Sequence, residues 1–245
     1  MRGPAGTLSP STRPDRPGMS QRDLDIYSSA PLRHLLAEES AALMPGLQRC
    51  SGTHGLLVSV TPEDAPPMLP LLGNWTRLNL EGDRYTGDLS ARGDEPLPFL
   101  DDAFDLVLLR HALEVSGTPQ DLLEEVSRVL APGGVLAVTG LHPFSAWLPW
   151  MMWRTRGRAP AMHSPILLER WVSRIELDIE RVERVGHLWP SNRASFDSTH
   201  IFGGGYLMLA RKRRRMATPI RLKPKAVPAT VNVGLAPGAR RSAAS

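Results

Sequence analysis

A chain of 245 residues with 42% hydrophobic residues is long enough for one domain with a sizeable core plus flexible ends. Its single cysteine, Cys50, excludes an internal disulfide, reads as a small buried residue, and suits a reducing cytoplasm better than a secreted scaffold. The net charge of +4 conceals a split: ten Lys and Arg and no acid lie from residue 211 onward, leaving 19 basic against 25 acidic residues before it, so the basicity describes an appendage rather than the fold.

Residues 1–22 are polar and rich in Pro, Ser and Arg, which predicts a disordered leader without the apolar run of a signal peptide. Met19 opens a more convincing N-terminus than Met1. Apolar residues at helical spacing predict an amphipathic helix over 27–47, and the run 55–60 predicts a buried strand. Five residues over 61–74 (four prolines and Gly73) leave room only for a short or broken helix. Strands follow at 76–80, 84–87 and, most clearly, 104–109. Residues 119–130 read as a helix with Thr118 as N-cap and Pro119 in its first turn; Pro132, Gly133 and Gly134 then turn the chain into a strand over 135–139. A helix at 169–177 and late strands at 179–188 and 201–210 complete the order. From Met216 onward, Pro and Ala replace any periodicity and predict a disordered tail. The longest apolar stretch, 141–153, is too short to span a bilayer and holds two prolines.

Alternating strands and helices predict an α/β fold with a doubly wound, mostly parallel sheet ending in an antiparallel strand pair. Ligands in such sheets bind at the carboxyl ends of the strands, near the switch in strand order. The residues just after each strand are therefore the ones that matter.

The most informative segment runs from Leu97-Pro98-Phe99-Leu100-Asp101-Asp102-Ala103-Phe104-Asp105 to Arg128-Val129-Leu130-Ala131-Pro132-Gly133-Gly134. At this spacing it resembles the type-11 class I methyltransferase domain, whose Rossmann-like fold uses S-adenosylmethionine (SAM). Gly140-Leu141-His142-Pro143-Phe144-Ser145-Ala146-Trp147 is similar to the "Gly-Phe-Asn-Pro-x-Ser-x-Trp" stretch of the YafS-like bacterial subgroup, with His142 in place of Asn. The stretches 205–213 and 218–221 resemble the same group. The resemblance implies a leader over 1–22, a methyltransferase-like domain over 23–211 and a basic tail over 212–245. It implies methyl transfer from SAM to an acceptor it does not specify.

The same resemblance implies the site. Ser59 lies in the stretch after the first strand, where the family has a glycine-rich loop; here 58–64 holds no glycine, Val60 and Thr61 are β-branched, and Pro62 lacks an N–H. Glu81, after the second strand, is the acid expected on the ribose hydroxyls, or a solvated turn residue beside Gly82. Asp88 and Leu89 are expected at the adenine edge, and Arg110 on the ligand rim. His111 and His142, each following a strand, are the possible general bases, imidazole being suited to proton transfer near neutral pH; His111 with Glu114 also reads as a strand cap.

The missing glycine keeps a second reading open: a methyltransferase-fold protein without cofactor, acting as a scaffold or binding module. The Trp-rich stretch 144–153, followed by Arg154, Arg156 and Arg158, reads as a lid over an acceptor, as an interfacial element at a membrane, or as a core helix packed on the sheet. The basic run 211–215 is either a weak contact for nucleic acid or an anionic membrane, or a solubilising end.

Overall fold

The computed structural model describes residues 25–156, 160–190 and 203–214; the leader and the tail from residue 215 lie outside them. A single turn of 3-10 helix at Asp25–Ser28 leads into α1 (Ala30–Leu47), which follows the extended Ser29 and carries Pro31 in its first turn. The strands are β1 (Gly52–Ser59), β2 (Leu72–Glu81), β3 (Arg84–Gly87), β4 (Ala91–Arg92), β5 (Phe104–Arg110), β6 (Leu130–Leu141), β7 (Leu177–Val185) and β8 (Gly205–Lys212). Between them lie α2 (Ala112–Val115), α3 (Pro119–Val129), α4 (Trp147–Arg154) and α5 (Pro165–Val172).

These strands form one sheet in the order β4-β3-β2-β1-β5-β6-β8-β7. The central strands β2, β1, β5 and β6 are parallel, and β8 and β7 add an antiparallel pair at one edge. Strand order reverses between β1 and β5, which makes that junction the switch point. The β5 run Leu106–Arg110 is buried throughout because helices cover both faces. Leu57, Leu106, Leu108 and Ala137 pack under Leu43 and Leu47 of α1. Leu56, Val58, Val107 and Leu109 turn the other way, toward Leu122, Leu123 and Val126 of α3 and Leu168 of α5.

The third strand departs from the expected alternation. Glu81 pairs with Arg84 across the two residues Gly82 and Asp83, so β3 returns antiparallel along β2. A parallel partner needs a crossover of a dozen residues or more; Gly82, at φ 61°, makes the tight reversal accessible instead. Thr118 stands at the N-cap of α3, yet its side chain makes no capping bond. The last helix starts earlier than its apolar spacing suggested, because Ser164 accepts a hydrogen bond from the Leu167 amide, 3.3 Å, with Pro165 next to it.

Two motifs turn out to be structural ties. Asp105 accepts from the amides of Thr53, 2.7 Å, and His54, 3.2 Å, clamping β5 to β1. Arg128 donates to the carbonyls of Leu97 and Phe99 and to Asp101 and Glu125, holding the loop before β5 against α3. The basic run is also partly committed: Arg211 reaches Glu180 and Arg213 reaches Asp178. Lys212, placed in the tail by the sequence reading, ends β8 and is buried, its ammonium donating to the Leu130 carbonyl, 2.5 Å, and Asp102, 2.7 Å. Replacing Lys212 by Met is expected to lower unfolding stability by about 2 kcal/mol, since a buried carbonyl loses a charged donor. Arg213→Ser, at an exposed pair, is expected to leave the urea midpoint unchanged.

Candidate functional site

The switch point sits beneath a cavity of about 370 Å³, within the range of small-molecule sites. Tyr27 supplies one wall, Arg33 and Ser40 of α1 a second, Thr61 and Asp64 after β1 a third, and Arg110 the floor. The strand register explains why polar groups gather here. Asn79 pairs with Ser59, Ser59 with Arg110, and Arg110 with Thr139, so one cross-strand row of polar side chains crosses four strands near their carboxyl ends. All four are buried. The residues before this row on the same face, Leu57, Leu108 and Ala137, belong to the core.

Arg110 is the centre of the row. Its guanidinium pairs with Asp64 and donates to Ser40 Oγ, 3.0 Å. Both members of the ion pair are largely shielded from water. Burial pushes the Asp64 carboxyl above its usual range even though Arg110 pulls the other way. Arg110 Nε and Asn79 Oδ1 are buried without a hydrogen-bond partner. Such atoms are uncommon in folded proteins. Ser59 Oγ donates to the Thr61 carbonyl, 3.0 Å, shaping the glycine-free loop. Val60 turns into the core and Pro62 faces solvent, so neither fills the hollow.

The structure brings Ser59 and Arg110 together, with Glu81 ending the neighbouring strand. Glu81 accepts from Asn79 Nδ2, 2.9 Å, and so is tied to the same row. Asp88 is elsewhere. The antiparallel return of β3 carries it back to the level of Arg77, whose amide donates to Asp88 Oδ2, 2.8 Å, and whose side chain pairs with it at 3.8 Å. Leu89 packs against the core instead of opening to a ligand. Gly-Asp occurs three times in this region, at 82–83, 87–88 and 93–94, and Asp94 of the last lines a second hollow of about 360 Å³, with Tyr85, Glu95 and Asp121.

His111 also needs correction as a general base. It is 1% exposed, with Nε2 3.1 Å from Glu39 and Nδ1 3.2 Å from Glu114. Burial disfavours its cation, but Glu39 and Glu114 outweigh that and push its pKa up to about 10. A protonated imidazole with both nitrogens engaged takes no proton from a substrate. Glu114 also accepts from Tyr27 Oη, 2.7 Å, and from the Leu141 amide. Tyr206 completes the cluster against Gly140, where an added Cβ would lie 2.5 Å from Tyr206 Oη and 2.8 Å from Glu114 Oε1. This buried cluster holds Tyr27 in the cavity wall. Sequence reading missed Glu39, Tyr27 and Tyr206 because each lies far along the chain from His111.

His142 follows β6, half-buried, its Nδ1 accepting from the Phe144 amide, 3.2 Å. Burial, helped by Arg184, lowers its pKa, so it is neutral near pH 7. It is not among the residues lining the cavity.

Comparisons with known proteins bear on the fold that carries this geometry. The methyltransferase domain family matches residues 75–138. The uncharacterized protein YafS of Escherichia coli is 31% identical over 133 residues, 52% of this chain and 55% of that protein. An uncharacterized methyltransferase of Synechocystis is 35% identical over 130 residues, 48% of this chain and 58% of its own length. The chain thus spans little more than half of the curated relatives it matches. Among solved structures, a SAM-dependent methyltransferase of Thermotoga maritima, described as a possible histamine N-methyltransferase, superposes with a TM-score of 0.53 at 14% identity, covering 78% of this chain and 97% of that one. A chain from the complex between the Haloferax volcanii Trm112 methyltransferase activator and a methyltransferase gives 0.50 at 16% identity, covering 81% and 100%. Identities this low show a shared fold.

Proposed function

From a chain that carries a methyltransferase domain on a SAM-dependent methyltransferase fold, we propose an enzyme that transfers a methyl group from SAM to an acceptor, with the cavity over β1 and β5 receiving the methionyl end of the cofactor. The observation that carries this reading is the pairing of charges in that cavity. Arg33 and Arg110 suit a carboxylate, while Glu63 and Asp64 suit an ammonium group, so an amino-acid moiety meets both signs in one hollow. Glu81 stands at the end of β2, the position of a ribose-binding acid, and Ser59 shapes the loop between them.

When bound, SAM supplies an electrophilic methyl on its sulfonium. The chain's own contribution is to orient it and exclude water. Arg110 and Asp64 hold each other in place before a ligand arrives, which reduces the ordering left to do on binding.

A cofactor-free scaffold is the second reading, favoured by the glycine-free loop and by the Arg110–Asp64 pair closing on itself. Calorimetric titration with SAM and S-adenosylhomocysteine separates the two. Saturable heat and a raised melting temperature are expected for both ligands. Absence of both signals at millimolar ligand removes the enzyme reading and leaves the scaffold. The lone buried Cys50 fits a cytoplasmic setting, and no helix among the described residues is long and apolar enough to cross a membrane.

A further inference from the structure

Six of the nine exposed large hydrophobic side chains among the described residues fall between Phe144 and Trp189. Their centre is α4. One side of this helix is anchored: Trp147 and Met151, one turn apart, are buried, and Trp147 Nε1 donates to the His187 carbonyl, 3.0 Å. Trp150 meets Trp147 edge-on at 5.7 Å. The opposite side carries Pro149, Met152 and Trp153, all exposed and none charged. A helix at a water-facing surface ordinarily places polar residues there; one that is apolar all round has a second apolar surface to meet.

Charge narrows what that surface is. Arg154, the last residue of the helix, and Arg156 just beyond it are exposed, and no Asp or Glu occurs between Glu125 and Glu169. The partner is therefore apolar beneath and anionic above. Shape narrows it further. Phe144 is 81% and Trp153 74% exposed, so the side chains protrude instead of lining a groove. Protruding aromatics with adjacent arginines match a deformable bilayer, whose headgroup region takes up Trp and Phe and whose phosphates take up guanidinium groups.

We propose that the face formed by Phe144, Met152, Trp153, Arg154 and Arg156 seats the protein on an anionic phospholipid surface. The contact is independent of the methyltransferase reading and distinct from the basic run 211–215, in which Arg211 and Arg213 already pair with carboxylates of β7.

The test is sedimentation of the full chain with vesicles of phosphatidylcholine alone or mixed with phosphatidylglycerol. Binding to the mixed vesicles with a blue shift of tryptophan emission is expected. The double variant Met152→Ser/Trp153→Ser should lower partitioning about tenfold or more, because it removes two inserting apolar groups. Arg154→Ser/Arg156→Ser should weaken binding comparably and flatten its salt dependence. All four side chains face solvent, so melting temperatures should match the parent. No sedimentation with mixed vesicles overturns the proposal. So does vesicle binding that both variants leave intact and a DNA duplex competes away, an outcome that assigns the contact to the basic tail.

Discussion

Arg110→Met is expected to abolish SAM binding, by at least about a hundredfold, and to lower unfolding stability by about 3–5 kcal/mol. The second figure follows from leaving Asp64 buried with no countercharge. Burial already raises the Asp64 pKa in the parent, and Arg110 is the leading influence opposing it. Without Arg110 the carboxyl rises further, since the countercharge that opposed burial is gone. The sign follows from its raised folded-state value: stability tied to Asp64 is present at low pH and falls as pH climbs through its folded pKa. The deficit of Arg110→Met relative to the parent should therefore shrink on acidification. Arg110→Met/Asp64→Asn removes both charges and should recover most of the lost stability, since a buried pair replaced as a unit is often nearly neutral. Ligand binding should not recover with it. Denaturant melts across pH and parallel calorimetry read the two effects separately. A double variant that is refolded and also binds SAM like the parent removes Arg110 from the site.

The parallel sheet was legible because its carriers are local. Leu106–Leu109 is apolar without alternation, and Pro132, Gly133 and Gly134 mark the chain's passage from helix to strand, although the helix ends earlier, at Val129, and the three residues lie inside β6 where its register against β5 shifts. The motif around Arg128 was legible as a match, but its purpose was not: the four groups it ties lie up to 31 positions away. The antiparallel third strand was hidden for a different reason. The strand at 84–87 was expected but its direction was not, and that direction lies in the turn: Gly82-Asp83 between two strands is a hairpin signal, which β2 and β3 follow.

The site was legible in half. Ser59 and Arg110 meet because β1 and β5 are neighbours across the switch point, which follows from topology alone. Which way a side chain goes after its strand ends does not. His111 leaves β5 in the left-handed region, φ 53°, and that single torsion turns it away from the cavity and into the pocket between Glu39 and Glu114. Nothing in a linear pattern records it, although His is among the residues that tolerate the region.

That buried pocket gives the second large effect. The parent should lose stability steadily as pH rises from about 6.5 to about 10, by an amount on the order of 5 kcal/mol at roughly 1.4 kcal/mol per pKa unit. The sign is that of a raised base: the His111 cation stabilises the folded state fully below its unfolded value of 6.5 and the contribution disappears as pH passes through its folded value of about 10. Glu39, raised chiefly by burial and lowered by His111, changes in the same direction at lower pH. His111→Asn keeps a residue that accepts left-handed backbone while removing the cation. Its melting temperature should be lower than the parent's at pH 7 and flat between pH 6.5 and 10, and should recover on acidification as Glu39, freed of the influence that lowered it, takes up a proton. Because Glu114 holds both His111 and Tyr27, and Tyr27 walls the cavity, SAM affinity in the parent should fall over the same alkaline window. A His111→Asn protein whose melting temperature keeps the parent's alkaline slope would show that the cluster is held together without the histidine charge, and the coupling to Tyr27 and the cavity would go with it.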